Sequence, residues 1–350
     1  MSIRFASLSE IADQKYDSII DVRSPAEFAE DHLPGAINLP VLDNDERAEV
    51  GTIYVQQSPF LARKLGAAKV FRNAADHIET HLSQYDGSWR PLVYCWRGGQ
   101  RSGSFTWLLQ QIGWRADVVD GGYQSYRRLV HDFLYNTTLP HRFVALDGYT
   151  GTAKTKILAQ VAALGGQVLD LEGCAEHRGS LLGGYDAPQP SQKTFESRVA
   201  GKLAGFDPRL PVLVEAESSK IGARIVPPTI WAAMKAAPRV EVTASVEARC
   251  AYLRAEYDDI LSNAAMLQER LHTLREHRSN AVVDGWMDLI AAGDKSALTE
   301  ALMVQHYDPA YTKSRTAIGA PVLHQLKAQD LRDRDISRLA EELLGILNTQ

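Results

Sequence analysis

Short β-branched runs alternate with helical patterns along most of this chain, and this alternation constrains the fold more than any other feature. The predicted strands of the first part cover 18–22, 36–39, 91–95 and 115–119. The predicted helices between and after them cover 25–31, 61–82, 102–112 and 123–134. Strands that alternate with helices favour a parallel sheet covered on both faces. The sequence therefore predicts an α/β domain over residues 1–135.

A second alternating unit follows a short break. Residues 136–141 are polar turn residues with a proline and are the predicted linker. The predicted strands after it cover 142–146, 167–169, 211–214, 239–243 and, more weakly, 321–323. A helix is predicted over 154–164, and the chain becomes largely helical after about Val246, ending in an amphipathic stretch at 331–347. Residues 142–350 are thus a second α/β domain with a helical C-terminal elaboration, as the length of 350 residues allows at roughly 150 per domain.

A cysteine stands where the third predicted strand meets a glycine-containing loop. Cys95 is followed by a short segment that leads into a helix and contains Trp96, Arg97, Gly98, Gly99, Gln100 and Arg101. Successive backbone N–H groups in such a loop form an anion cradle, to which the helix dipole adds positive potential. A cysteine at its base is favoured as the thiolate nucleophile, and Arg101 can donate two hydrogen bonds to a tetrahedral anion. Cys95 is the predicted catalytic residue, and residues 96–101 are the predicted anion site.

A phosphate-binding loop is predicted between the first strand and helix of the second domain. The segment is Gly148, Tyr149, Thr150, Gly151, Thr152, Ala153, Lys154 and Thr155. It matches GxxxxGK[ST] at every fixed position except the second glycine, which is Ala153. Backbone amides would hold a diphosphate, Lys154 would neutralise it, and Thr155 could hold Mg²⁺ together with Glu215. Alanine at a position that requires positive φ strains the loop, so diphosphate binding is favoured over ordinary nucleotide hydrolysis.

Further polar residues follow the second and third strands of that domain. Glu215 and Glu217 end a strand where a P-loop protein keeps its metal-orienting carboxylate, and Glu215 is the preferred candidate. Glu172, His177 and Arg178 form a possible further site, for which a polar turn is an equally good interpretation.

Charge and cysteine usage exclude several classes of protein. The formal charge of −5 argues against a general polyanion binder, so a nucleic-acid surface must be a local basic patch. The three cysteines, odd in number and far apart, exclude a disulfide framework and a four-thiolate zinc site. No apolar run approaches the roughly 18 residues of a membrane span, and the start lacks a signal-peptide core. These features predict a soluble, cytoplasmic protein without membrane contact.

Two segments of the first domain resemble the first signature of rhodanese domains. They are 20–28, Ile-Asp-Val-Arg-Ser-Pro-Ala-Glu-Phe, and 32–40, His-Leu-Pro-Gly-Ala-Ile-Asn-Leu-Pro. Five residues separate Cys95 from Arg101, one more than sulfur-carrying rhodaneses typically have and as many as in phosphatases built on this fold. The wider ring favours a phosphate-like oxyanion over a lone sulfur. The fold class is thus a rhodanese-like parallel-sheet domain followed by a P-loop NTPase-like α/β domain.

This domain order, with further matches across nearly the whole chain, resembles the tRNA 2-selenouridine synthase family. The further matches lie at 46–52, 172–180, 214–222 and 306–309, and a departure is Val55, where a lysine is expected. The resemblance implies a transferase that replaces sulfur by selenium in the wobble 2-thiouridine of tRNA. It implies geranyl diphosphate and selenophosphate as co-substrates, S-geranyl-2-thiouridine as the intermediate, and a partner that supplies selenophosphate. No tightly bound cofactor is expected apart from the Mg²⁺ that Thr155 and Glu215 could hold.

Two other functions remain open from the residues. One is a phosphatase or sulfurtransferase that uses the cysteine loop alone, and the other is a P-loop kinase or ATPase regulated by the rhodanese-like module. A tRNA substrate needs a basic track, for which the arginines of 247–278 and the pair Arg127 and Arg128 are candidates. In the segment 247–278, acidic residues are interleaved with the arginines, which favours a solvated helix face over an RNA-binding surface.

Overall fold

The chain folds into two compact units. The computed structural model describes residues 1–179, 187–216, 218–276, 278–318 and 320–349, without the side chains of 314–318. The first unit consists of residues 1–138 and 190–205, and the second of residues 139–189 and 206–350.

The strands and helices follow the chain in an order close to the predicted one. The strands are β1 (Ser2–Ile3), β2 (Ser18–Asp21), β3 (Ala36–Asn38), β4 (Pro91–Tyr94), β5 (Asp117–Val119), β6 (Phe143–Asp147), β7 (Gln167–Leu169), β8 (Val212–Glu215), β9 (Lys220–Ile221), β10 (Arg224–Ile225), β11 (Arg239–Thr243) and β12 (Val322–Lys327). The helices are α1 (Leu8–Ala12), α2 (Pro25–Glu30), α3 (Asn44–Gln56), α4 (Pro59–Thr80), α5 (Gln100–Ile112), α6 (Gly122–His131), α7 (Lys154–Ala163), α8 (Leu171–Ala175), α9 (Gln192–Ala204), α10 (Pro228–Ala236), α11 (Val246–Glu256), α12 (Asp258–Leu261), α13 (Ala264–His272), α14 (Asn280–Ala291), α15 (Lys295–Leu302), α16 (Asp308–Ile318) and α17 (Asp333–Leu347).

The first unit is built on a parallel sheet of order β1-β5-β4-β2-β3. All four residues of β4 are buried, as expected for a central strand with helices on both faces. Side chains of β2, β4, α4 and α5 form one apolar core that includes Ile20, Val70, Val93 and Phe105. Because parallel strands end at the same edge, β4 delivers Cys95 to the edge where β2 delivers Asp21 and Val22.

Helix α9 belongs to the first unit, although the sequence analysis assigned its residues to the second domain. Ser197 donates a 2.8 Å hydrogen bond to Asp31, and Glu196 pairs with Arg127 and accepts a 2.8 Å bond from Tyr135. Glu196 and Ser197 are buried, so these polar contacts are specific packing interactions. The end of the first segment at residue 138 falls inside the predicted linker. The domain boundaries therefore differ from the predicted ones by this inserted helix.

The second unit is built on a parallel sheet of order β12-β11-β6-β8-β7. The central strand β6 leads into the predicted phosphate loop, and β8 lies beside it with Glu215 paired to Leu146. Helices α7 and α17 pack on this sheet through an apolar core that includes Ile157, Leu213 and Leu339. A separate core built from α12 to α15, around Trp286, forms the predicted helical elaboration.

Both units thus have the predicted α/β architecture with parallel sheets. Strands 167–169 and 239–243 have the predicted bounds, and most others differ at their ends by one to three residues. The sequence analysis missed the two-residue strand β1 and the antiparallel pair β9 and β10. Two-residue strands are too short to show a period of alternation.

Candidate functional site

The cysteine loop of the first unit has the backbone shape that its glycines require. Gly98 has φ +68°, and a Cβ there would lie 2.6 Å from the carbonyl oxygen of Val119. A Cβ on Gly122 would lie 2.3 Å from the carbonyl oxygen of Cys95. The N–H of Tyr123 also donates to that carbonyl oxygen at 2.8 Å. The segment that begins α6 therefore packs against the loop and fixes the direction in which it turns.

The sulfur of Cys95 has a hydroxyl partner that the sequence analysis did not identify. The Oγ of Ser102 donates to Sγ of Cys95 at 3.1 Å, and both residues are buried. Ser102 lies in the first turn of α5, the helix that starts from the loop. A hydroxyl that donates to sulfur stabilises the thiolate. Ser102 follows Cys95 by seven residues, and this spacing was the signal in the sequence that could have identified the hydroxyl partner.

The two arginines of the loop are both held by partners. Arg101 Nη1 donates to Oε2 of Glu27 at 2.9 Å, and Arg97 Nε donates to Gln124 at 3.3 Å. Burial alone would raise the pKa of Glu27, but the hydrogen bond and charge of Arg101 hold that pKa below its usual value. Arg101 is therefore fixed beside the loop by a residue of the first rhodanese-like signature.

The arginine of that signature, Arg23, is completely buried behind the loop. Its guanidinium contacts both carboxylate oxygens of Asp21 and donates to the carbonyl oxygen of Asp31 at 2.6 Å. It also lies 4.0 Å from the ring centroid of Tyr123, whose hydroxyl donates to the Asp31 carboxylate. These contacts pair a charge that would otherwise be costly to bury.

The phosphate loop of the second unit connects β6 to α7 with two sharp turns. Gly151 has φ +85°, and a Cβ there would lie 2.9 Å from Leu253. A Cβ on Gly148 would lie 2.6 Å from the hydroxyl of Thr152. Lys154 is buried, and its Nζ donates to the carbonyl oxygen of Gly148 at 2.9 Å. The lysine thus lies across the loop, where an anion bound by the backbone amides would meet it.

Ala153 adopts the left-handed conformation, with φ 58° and ψ 26°. This is the condition under which the sequence analysis predicts strain, since a Cβ disfavours that region. Its methyl group is buried in the core formed by β6, α7 and α17. Packing of that methyl group offsets part of the strain.

Acidic side chains surround the start of α7. Thr155 Oγ1 lies 3.3 Å from Glu172 and 3.4 Å from Glu215, and Glu215 Oε1 lies 3.5 Å from Nζ of Lys154. Burial raises the pKa of Glu215 above its usual value, although the ammonium of Lys154 acts in the opposite direction. Glu217, the alternative candidate, lies outside the described residues.

His177 and Arg178 lie in the same region of the second unit. His177 Nδ1 accepts a 3.0 Å hydrogen bond from the N–H of Gly179, so the neutral ring carries its proton on Nε2. Burial, followed by the charge of Arg270, lowers the pKa of His177, which keeps the ring neutral. Arg178 contacts Asp259 at 3.4 Å and lies over the ring of Tyr257.

A cavity of about 730 Å³ brings these groups of the second unit together. Residues 150–155 of the phosphate loop line this cavity. The charged and polar residues that the sequence predicted after the second and third strands of this unit also line it, and they are Glu172, His177, Arg178 and Glu215. The sequence analysis missed its aromatic and apolar lining, which is Trp231, Met234, Tyr252, Leu253, Tyr257, Tyr307 and Tyr311. These residues come from α10, α11 and the helical elaboration, so no local sequence pattern linked them to the loop.

The described ranges lack two kinds of feature. No cluster of three or more His, Cys, Asp or Glu side chains there has the arrangement of a metal site. No helix in those ranges is long and apolar enough to cross a membrane. Cys174 and Cys250 are buried cysteines of the second unit, and neither belongs to a disulfide.

Comparisons with known proteins agree with this architecture. The family model described as the tRNA 2-selenouridine synthase AAA domain matches residues 141–282, and that of the rhodanese-like domain matches residues 6–129. A tRNA 2-selenouridine synthase of Cupriavidus pinatubonensis is 36% identical over 267 residues, covering 72% of this chain and 69% of that protein. One of Marinobacter nauticus is 31% identical over 322 residues, covering 84% and 87% respectively. These matches confirm the predicted rhodanese-like domain followed by a P-loop-like domain.

A similar solved structure is the N-terminal domain of a putative ATP/GTP binding protein from Clostridium difficile 630. It is 36% identical, with a TM-score of 0.33, and the match covers 37% of this chain and 98% of that chain.

Proposed function

We propose that this chain, which belongs to the tRNA 2-selenouridine synthase family, replaces the sulfur of wobble 2-thiouridine in tRNA by selenium. The names of its relatives support a tRNA-modifying enzyme that forms selenouridine. The observation that carries the two-step route is the pairing of a phosphate loop with an apolar and aromatic wall in one cavity. A prenyl diphosphate needs both surfaces, because its head is a polyanion and its tail is a hydrocarbon.

In the first step, geranyl diphosphate binds in the cavity of the second unit. The amides of residues 150–155 and the ammonium of Lys154 contact the diphosphate. Trp231, Met234 and Leu253 offer apolar surface for the geranyl chain. The thiocarbonyl sulfur attacks C1 of the geranyl group while the C1–O bond breaks, and the electron pair leaves with the diphosphate. The N3 proton of the base is released, which yields neutral S-geranyl-2-thiouridine.

The residues beside Lys154 fit a magnesium ion. Mg²⁺ is usually held by one or two carboxylates together with substrate phosphates. Thr155, Glu172 and Glu215 provide a hydroxyl and two carboxylates within 3.4 Å of that hydroxyl. Bound there, the ion would neutralise charge on the departing diphosphate.

In the second step, selenophosphate binds at the cysteine loop of the first unit. The amides of residues 96–101 and the fixed guanidinium of Arg101 suit a tetrahedral oxyanion, and the sulfur of Cys95 at the base of the loop positions the bound selenophosphate. Selenium attacks C2 of the modified base, and the C2–S bond breaks with release of geranylthiol. Water then cleaves the P–Se bond and yields phosphate and selenouridine. The alkylated sulfur leaves more readily than a thiocarbonyl, which gives the first step its chemical purpose.

The partners follow from this chemistry. Another enzyme must supply selenophosphate, and the reaction belongs in the cytoplasm, where tRNA is found.

Mass spectrometry of nucleosides tests the proposal directly. Thiouridine-containing tRNA is incubated with the protein and geranyl diphosphate, and selenophosphate is then added. S-geranyl-2-thiouridine should form first and selenouridine second. If neither nucleoside forms, while the protein hydrolyses a nucleotide or an aryl phosphate, one of the two rival functions is correct.

A further inference from the structure

An exposed face of the first unit combines aromatic rings with unpaired cations. It consists of Phe60, Arg63, Lys64, Phe71 and Arg72 on α4 and of Trp107 on α5, and we call it the α4–α5 face. Phe60 is 76% exposed, Phe71 41% and Trp107 53%. The rings of Phe71 and Trp107 meet edge to face with centroids 6.4 Å apart. Helical spacing places Phe60, Lys64 and Phe71 on one side of α4, and Arg63 and Arg72 flank that side in opposite directions.

The charge of this face is opposite in sign to that of the whole chain. Residues 59–72 contain four basic residues and no acidic ones, whereas the chain carries −5. Lys69 pairs with Glu46 and Glu49 of α3 and is thereby neutralised. Across the described ranges, no carboxylate pairs with Arg63, Lys64 or Arg72. Asp76 and Glu79, the acidic residues of α4, follow in its last two turns.

Three of the arginines that the sequence suggested for tRNA have carboxylate partners inside the protein. Arg127 pairs with Glu196, Arg249 with Asp308 and Arg275 with Asp284. Each of these three guanidinium groups already has a carboxylate partner. The three cations of the α4–α5 face have no such competitor among the described residues.

We propose that the α4–α5 face binds the tRNA substrate, an inference that rests on the proposed function. Arg63, Lys64 and Arg72 would contact backbone phosphates, and the exposed rings of Phe71 and Trp107 would stack on unpaired bases. Cations interleaved with exposed aromatic rings are how single-stranded nucleic acid is held without sequence-specific contacts. This combination favours RNA over a second copy of this acidic chain, which offers no unpaired bases.

The position of Trp107 connects this face to the cysteine loop. Gln100 and Trp107 lie two turns apart on the exposed side of α5, which is about 10 Å along a helix axis. Gly103 lies between them, is also exposed and carries no side chain. RNA bound on this face would lie next to the predicted selenophosphate site.

Binding of thiouridine-containing tRNA to the full chain at several salt concentrations tests the inference. The triple variant R63E/K64E/R72E should bind at least tenfold more weakly, and its salt slope should fall by about 2–3 because three phosphate contacts are lost. Trp107→Ala should weaken binding about tenfold with little change in slope, since stacking involves no counterion release. The control is Arg115→Glu. Arg115 is an exposed cation that precedes the start of β5, whereas the cysteine loop follows the end of the neighbouring parallel strand β4.

Kinetics separate this inference from the proposed function. Both sets of variants should raise the KM for tRNA and leave kcat close to that of the unmodified chain. If the unmodified chain forms selenouridine and the variants bind tRNA equally well, the face is not the RNA site. If the variants instead change the oligomeric state while tRNA binding is retained, the face is a contact between copies. If the unmodified chain modifies no tRNA, the proposed function itself fails.

Discussion

The ammonium of Lys154 lies 3.5 Å from the carboxylate of Glu215, and both side chains are buried at the base of the phosphate loop. The same ammonium donates to the carbonyl oxygen of Gly148. Lys154 is thus fixed in the loop by two partners before any anion binds. Such preorganisation reduces the entropy that is lost when a charged ligand is bound.

The first prediction concerns the stability of this pair. Lys154→Met removes the charge that opposes the effect of burial on Glu215, so the pKa of Glu215 should rise further. A carboxyl whose folded pKa is raised stabilises the protein at low pH and loses that contribution as pH rises through the folded pKa. The variant should therefore be destabilised more at pH 8 than at pH 5, with a cost of up to about 3–5 kcal/mol at the higher pH. Urea unfolding at both pH values measures this difference.

Lys156→Met provides the control for that experiment. Lys156 pairs with Glu256 at 2.6 Å, but its side chain is 47% exposed. Exposed pairs contribute about 0–1 kcal/mol, so this variant should stay close to the unmodified chain at both pH values. Equal destabilisation of Lys154→Met at pH 5 and pH 8 would contradict the assigned coupling.

The second prediction concerns the strain at Ala153. Ala153→Gly relieves a left-handed conformation that costs an alanine about 1–2 kcal/mol. It also removes a buried methyl group worth about 0.8 kcal/mol and adds backbone entropy to the unfolded chain. Global stability should change by less than about 1 kcal/mol, and binding of geranyl diphosphate should tighten or stay the same. Calorimetric titration measures the binding, and a clear loss would show that the methyl group contacts the ligand.

Much of the fold could be predicted from the sequence because its signals are local. The apolar runs of β4 and β6 and the glycines of the two loops are each contained in a short segment. The same holds for Cys95 and Lys154, whose surroundings are set by a strand, a loop and a helix in succession. Local hydrogen bonding and φ requirements act over such distances.

Apart from Ser102, the residues that could not be predicted from the sequence depend on contacts between distant segments. Helix α9 joins the first unit through Ser197 and Asp31, which are 166 positions apart. The wall of the cavity combines Trp231 of α10 with Tyr311 of α16. No periodicity connects such positions, so only tertiary packing reveals them.

The third prediction tests the hydroxyl beside Cys95. Ser102→Ala removes a 3.1 Å donor to sulfur and leaves the loop glycines in place. Because a hydroxyl donor stabilises negative charge on a sulfur atom, alkylation of Cys95 by iodoacetamide at pH 7 should slow several-fold. Ser104→Ala on the same helix is the matched control. An unchanged rate for Ser102→Ala would contradict this role of the hydroxyl.

The fourth prediction concerns the buried carboxyl that holds α9. Burial raises the pKa of Asp31 above its usual value, although Ser197 and Tyr123 each donate a hydrogen bond to it. The stability that this group contributes is therefore present at acidic pH and is lost as pH rises through the raised value. Relative to Asp31→Asn, the unmodified chain should be more stable at pH 4 than at pH 7. This difference in stability should be about 1.4 kcal/mol for each unit by which the pKa of Asp31 is higher in the folded than in the unfolded chain. Thermal unfolding across this range measures it, with Asp13→Asn as an exposed control.

The last prediction is that the two chemical steps can be separated by mutation. Cys95→Ala keeps the glycine-built loop and removes only the sulfur, so it should accumulate S-geranyl-2-thiouridine and form no selenouridine. Lys154→Ala removes the cation of the diphosphate site, and loss of such a charged contact costs about 1.5–3 kcal/mol. That variant should fail to geranylate tRNA, yet convert tRNA that already carries the geranyl group.

Each variant is given either thiouridine tRNA or pre-geranylated tRNA, and the nucleosides are counted by mass spectrometry. Lys327→Ala, an exposed lysine on β12 of the second unit, is the control and should perform both steps. Normal selenouridine formation by Cys95→Ala would show that the sulfur has no role in selenium transfer. If Cys95→Ala loses geranylation as severely as selenation, the steps are not divided between the cysteine loop and the phosphate loop. Because the two anions differ in shape and charge, and each loop has its own fixed cation in Arg101 or Lys154, we expect the division to hold.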